Sequence, residues 1–119
     1  MCTNRTQFLL LIVMLAVSLN GCSPPSENHQ EAAVRSDMEV AEALYKKNCK
    51  VCHAQGINGA PIVGNQKMWT GRAEQGIDVL VDHAINGFGL MPPKGGKSHV
   101  TDEEVRLIVE YYLEQLKKS

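Results

Sequence analysis

Two cysteines three positions apart, followed at once by a histidine, constrain this chain more than any other stretch: Cys49-Lys50-Val51-Cys52-His53. The order C-x-x-C-H is the attachment pattern of a c-type haem. Thiols at that spacing lie on neighbouring sides of one helical turn, where each can form a thioether to a porphyrin vinyl group. The histidine then stands against the iron as proximal ligand, with an imidazole nitrogen as donor. Two other readings compete for the same residues. A Cys49–Cys52 disulfide or thioredoxin-like redox pair lacks a surrounding βαβ pattern and leaves His53 unexplained. A zinc site lacks a second pair of cysteines.

Whatever surrounds the motif must be small. A chain of 119 residues has room for one domain, and only 5% of it is aromatic. Domains of this size often need a metal, a disulfide or a cofactor for stability, and a buried haem supplies apolar mass that the side chains lack. A formal charge of -1 gives no reason to expect nucleic acid as a partner.

The first 21 residues read as an export signal: Arg5 is the positive start and Phe8 to Leu19 an apolar run of h-region length. That run is short for a spanning helix, which needs ~20 apolar residues. Leu19-Asn20-Gly21-Cys22 resembles the lipobox of bacterial lipoproteins, although Asn20 is less usual at its place. The resemblance implies cleavage before Cys22 and acylation of that cysteine. An ordinary cleaved signal or an uncleaved anchor is the plainer alternative. Several acyl chains hold a protein to a membrane far more firmly than one. Residues 22–35 are then expected to be a lipidated cysteine and a flexible tether, since SPPSENHQEAAVR is polar and has almost nothing to bury. His29 is solvated on this reading.

Residues 36–119 are expected to form the folded domain. Ser36-x-x-Glu39 has the form of a capping box, and Met38, Ala41, Leu44 and Tyr45 follow at helical spacing, delivering Cys49 at the helix end. Gly56 to Gly64 is a loop by its glycines and Pro61. Asp78 to Asn86 is helical and stops at Asn86-Gly87, with His83 as an ordinary helix side chain. Gly87 to Gly96 can be neither regular helix nor strand. Thr101-x-x-Glu104 is a second capping box, opening a helix whose apolar stripe is Val105, Ile108, Val109, Tyr112, Leu113 and Leu116, with Lys117 and Lys118 at its negative end. No strand run is present, so the fold class is all-α.

Iron held by one histidine needs its sixth position filled or left open for chemistry. Met91 is the best candidate, because a thioether is a soft donor suited to haem iron. It lies in a loop where glycines permit close backbone approach and Pro92 and Pro93 stiffen the chain. Met38 and Met68 read more simply as core filler. His99 is the alternative ligand.

Residues from about 37 to 117 resemble the class I monohaem cytochromes c, most closely the bacterial c-five type. The matching features are Cys49-x-x-Cys52-His53, Gly59-Ala60-Pro61, Trp69 with Arg72, Ile85-Asn86-Gly87-x-Gly89-x-Met91-Pro92-Pro93-Lys94-Gly95-Gly96, and Asp102-Glu103-Glu104-Val105 leading to Tyr112-Leu113. The resemblance implies a small fold of three to four helices around one haem c, covalently bound through Cys49 and Cys52. It implies His53 and Met91 as axial ligands and the Pro61 carbonyl as partner of the other His53 nitrogen. Trp69 and Arg72 are implied donors to a haem propionate, with core packing the plainer role for Trp69. Ala41 and Tyr45 are expected against Ile108 and Tyr112, with Ala41 where the family usually has glycine. Some relatives carry a further Cys pair between the methionine loop and the last helix; here that stretch is Lys97-Ser98-His99-Val100.

The expected function is single-electron transfer and not an enzymatic reaction, because an iron with both axial positions filled does not readily bind oxygen or peroxide. The expected setting is the bacterial periplasm, with the protein lipid-anchored to a membrane. A quinol-oxidising complex as donor and a terminal oxidase or periplasmic reductase as acceptor are what the family allows. Lys46, Lys47, Lys50, Lys94 and Lys97 are candidates for a basic rim that steers docking. Two alternatives are a haem-based sensor or peroxidase-like enzyme whose methionine dissociates, and a fixed electron-entry subunit of a larger oxidoreductase.

Overall fold

A computed structural model describes residues 27–119. The expected signal and the lipidation site Cys22 lie outside the described residues. Residues 31–119 form one compact unit, and residues 1–30 group separately. The described elements are α1 (Glu27–Asn48), α2 (Lys50–His53), α3 (Gln66–Trp69), α4 (Ile77–Asn86) and α5 (Asp102–Lys117), with short 3-10 turns at Ile57–Gly59, Ala73–Gln75 and Pro93–Gly96. Three of the helices are long and two are single turns. The only strand-like pairing among the described residues is one isolated bridge between Phe88 and Met91.

α1 begins nine residues before the expected capping box, so Ser36 lies inside the helix and residues 27–35 are helical where a flexible tether was expected. The reason is local. Glu, Ala and Arg are strong helix formers, Glu31 and Arg35 pair one turn apart at 3.4 Å, and acidic residues suit a helix start. A capping serine must have non-helical φ/ψ, which a residue inside a continuing helix does not have. Composition was the better guide to burial: of residues 30–40 only Met38 is even partly covered, and packing begins at Ala41, which is fully buried.

From Ala41 onward α1 packs inward through Tyr45, whose ring meets that of Tyr112 on α5 edge-on at 5.5 Å and that of Tyr111 at 5.4 Å. The core is Tyr45, Trp69, Leu80, Val81 and Val100 together with the α5 residues Val105, Ile108, Val109, Tyr112 and Leu116. The expected α5 stripe is thus buried, save that Leu113 is only partly covered. α4 packs along α5 and against the Pro93–Gly96 turn. The Gln66 side chain donates to the Leu116 carbonyl and ties α3 to the far end of α5.

The start of α5 shows both arms of its capping box. Thr101 Oγ1 accepts from the Glu104 N–H at 3.2 Å, and Glu104 Oε2 accepts from the Thr101 N–H at 2.9 Å. Three acidic residues in the first turn add a favourable dipole interaction. Thr101→Ala removes one acceptor from an otherwise unpaired helix-end N–H. It is expected to cost about 1 kcal/mol, read as a lower urea midpoint with an unchanged m-value.

Candidate haem site

α1 and α2 carry the pentapeptide. The Cys49 N–H still bonds back to the Tyr45 carbonyl at 2.9 Å, and the His53 N–H bonds to the Cys49 carbonyl at 3.1 Å, so the motif closes one helical turn at the end of α1. Both cysteines are free thiols; Cys49 is half-buried and Cys52 exposed. Burial pushes the Cys49 thiol pKa up, with the Tyr112 hydroxyl opposing that shift through a hydrogen bond. Cys49 therefore stays a protonated thiol, not a thiolate, until it is modified.

His53 is the one buried polar side chain of the core, at 8% exposure. Its Nδ1–H donates to the Pro61 carbonyl at 3.0 Å, the partner expected from the sequence. That bond assigns the proton to Nδ1 and leaves Nε2 with its lone pair free. Burial lowers the His53 pKa against a smaller upward pull from the Pro61 carbonyl, which favours the neutral ring that a metal requires. The loop that supplies Pro61 is itself pinned, because the Val63 N–H donates to the His53 carbonyl at 3.0 Å.

His53 and Cys49 line one pocket with Met91, although Met91 lies 38 residues beyond His53 in the chain. Ala84 from α4, Lys94 and Val100 from the following loop, and Val105, Ile108, Val109 and Tyr112 from α5 complete the wall. Among the described residues no group of three or more His, Cys, Asp or Glu side chains is placed to hold a metal ion. The donors gathered here are a thiol, an imidazole oriented by a carbonyl, and a thioether, in an apolar setting. That set fits an iron porphyrin and not a bare hard cation.

Met91 is presented by a turn that depends on Gly87. The Phe88 N–H donates to the Met91 carbonyl, and the Met91 N–H to the Phe88 carbonyl, both at 3.0 Å. Gly87 has φ +87°, and a Cβ there would sit 2.9 Å from the Met91 carbonyl oxygen and 3.0 Å from the Pro93 nitrogen. Both obstacles are backbone and cannot swing aside. Gly87→Ala is accordingly expected to cost about 1–3 kcal/mol and to displace Met91. Urea unfolding checks the first effect, and loss of the ferric protein's far-red absorption band checks the second.

The remaining expected site residues fall elsewhere. Trp69 is buried in the core, its ring edge-on to Tyr112 at 5.6 Å, and its indole N–H donates to the Ile62 carbonyl at 2.8 Å. An indole has one donor, so that donor is taken and the core role holds. Arg72 is exposed, with Nη1 on the Met68 carbonyl at 2.8 Å and its other donors available. Neither residue lines the pocket. His99 is exposed and meets the Asn48 side chain at 3.2 Å, also away from the pocket. His83 stacks on Phe88 at 4.1 Å. Lys94 is no rim residue: its half-buried side chain reaches Asp102 at 2.6 Å and the Val100 carbonyl at 2.8 Å. Lys46 is paired with Glu42 at 2.8 Å, an exposed pair of small energetic weight.

Sequence reasoning missed Ala84, Val100 and Lys94 as wall residues, and saw Tyr112 only as helix stripe. For Ala84 the signal was available: a small residue four positions after Leu80 lies on nearly the same side of α4, where it leaves space. For Lys94 and Val100 no local periodicity exists to be read.

Comparison with known proteins bears on the same residues. A family model described as "Cytochrome C oxidase, cbb3-type, subunit III" matches residues 36–111. Cytochrome c-555 of Chlorobaculum tepidum is 39% identical over 85 residues, covering 68% of this chain and 79% of that protein. Cytochrome c5 of Ectopseudomonas mendocina is 36% identical over 72 residues, covering 59% of this chain and 83% of its own length. A solved structure described as an electron transfer complex of nitrite reductase with cytochrome c contains a chain 35% identical to this one. The two superpose with a TM-score of 0.61 over 65% of this chain and 94% of the other. Kinship over the whole folded unit, an all-α architecture and a C-x-x-C-H turn opening onto an apolar pocket agree: the chain belongs to the cytochrome c family as a class I monohaem member, with one covalent c-type haem.

Proposed function

We propose that the protein is a one-electron carrier of the bacterial periplasm, held to a membrane through acylated Cys22, in which His53 and Met91 ligate the iron. Its relatives support the coarser statement that this is an electron-transfer cytochrome with redox proteins as partners. The observation that carries the finer reading is the convergence of His53, with Nδ1 committed to Pro61, and Met91 on one apolar pocket. Bound there, the haem iron cycles between ferric and ferrous by gaining or losing a single electron. The chain's own part is to hold an imidazole and a thioether in place in both states and to keep water out with Val100, Val105, Ile108 and Val109. Rigid walls suit a carrier, because an electron moves fastest where little has to rearrange.

The pocket wall also speaks for carriage over peroxide chemistry. Beyond His53, its lining has Lys94 and Tyr112 as polar groups and no carboxylate or second histidine among the described residues. Burial drives the Tyr112 hydroxyl pKa strongly upward, so it does not serve as a base. Exposed Phe88 and Leu90 flank Met91, and exposed Lys47, Lys50 and Lys97 supply positive charge, which together suit brief docking of a partner with an acidic, partly apolar face. One pair of spectra tests the carrier. The ferric protein should show the weak far-red band of a Met-ligated iron, and the ferrous protein should not bind carbon monoxide at neutral pH. Ready carbon monoxide binding overturns the reading in favour of a sensor or peroxidase-like site. Mass spectrometry of the mature protein tests the anchor: a chain starting at acylated Cys22 is expected.

A further inference from the structure

Lys94 has a left-handed backbone, with φ +52°, at a position followed by two glycines that share the sign. A lysine is strained there, where glycine would sit freely. Its side chain is also out of character, being 22% exposed where lysines usually stand in water. What holds it is a pair of contacts: Nζ donates to the Val100 carbonyl at 2.8 Å and meets Asp102 Oδ1 at 2.6 Å. Val100 is itself buried, and Asp102 is the first residue of α5. The backbone bonds of the intervening loop are all short-range: Gly95 to Pro92, Lys97 to Lys94, and Val100 to Lys97. Local turns of this kind shape a loop without attaching it to anything. Among the described residues, Lys94 is the side chain that fastens this loop to the start of α5, and it does so in the pocket wall it shares with Met91.

We propose that Lys94 is a positioning residue: clamped between the Val100 carbonyl and the Asp102 carboxylate, it keeps the Met91 loop closed over the haem pocket and sets how readily Met91 leaves the iron. The inference rests on the reading of Met91 as axial ligand. Breaking the clamp would leave a buried carbonyl without its donor, so the closed loop is favoured over an open one. The carboxylate also neutralises the ammonium locally, and the effect expected is therefore on ligand lability more than on potential.

The test uses the haem-loaded protein and follows the rate at which imidazole, as an outside ligand, displaces Met91 in the ferric form. Lys94→Met keeps the apolar stem and removes the donor; it should speed displacement by about tenfold or more and weaken the far-red band. Lys94→Arg keeps a charge and a donor and should restore most of the wild-type rate. Thr101→Ala loosens the same end of α5 but leaves the clamp, and should stay near the wild-type rate. A wild-type rate in Lys94→Met, or an equal acceleration in Thr101→Ala, overturns the proposal. If Lys94→Met is not recovered with haem, Asp102→Asn takes its place with the same expected direction. Met91→Ala separates the two layers. If it leaves the band and the imidazole rate unchanged, the ligand reading is wrong; if it alters both while Lys94→Met alters neither, only the clamp is wrong.

Discussion

Met91→Ala should open the sixth position and lower the midpoint potential by on the order of 100 mV, a small part of the ~0.8 V that axial ligands command. At 59 mV per tenfold for one electron, that is about a fiftyfold shift toward the ferric state. The direction follows from the donor: a thioether stabilises the electron-rich ferrous iron more than water does. Potentiometric titration reads the shift, and carbon monoxide binding to the ferrous variant reads the open site. The two together also identify a substitute ligand. A lower potential without carbon monoxide binding means that another side chain has moved in, and His99 is the first to examine, because its present tie to the Asn48 side chain is exposed. An unchanged potential rules Met91 out.

The largest loss of stability is expected from Tyr112→Ala, at about 3–5 kcal/mol. All three tyrosines and the only tryptophan of the chain meet at this position. The Tyr112 ring lies within 5.4 to 6.4 Å of the rings of His53, Tyr45, Trp69 and Tyr111. Removing it opens a cavity behind His53 and costs the edge-to-face contacts as well as buried area. Against a typical 5–15 kcal/mol for a whole domain, such a loss approaches unfolding. Tyr112→Phe keeps the ring and deletes only the hydroxyl that bonds Cys49, and should cost about 1 kcal/mol. Urea denaturation separates the cases. A cost below about 1 kcal/mol for Tyr112→Ala would mean that the aromatic cluster is not what supports the proximal side.

Features encoded within one or two helical turns were legible in advance. Cys49, Cys52 and His53 close a single turn, and the two arms of the Thr101–Glu104 box are three residues apart. The α5 stripe was legible because burial of one face imposes its period on the chain. Ser36 shows the limit of that method. The same spacing that caps α5 caps nothing in α1, because a run of strong helix formers upstream carries the helix past it.

Contacts between distant parts of the chain were a different matter. Trp69 was open to two roles until the Ile62 carbonyl took its only donor. Lys94 looked like one more surface lysine until the chain brought Val100 and Asp102 to it. The sequence by itself determined the chemistry: which donors exist, the turn that presents two thiols and a histidine together, and the all-α class. Only the tertiary structure decided which of those donors face one another, which lysine is buried, and that a single tyrosine backs the proximal histidine. The physical reason is range. Helical turns and caps follow from neighbours three and four residues away, whereas a pocket is made wherever packing of the whole core leaves its last unfilled space.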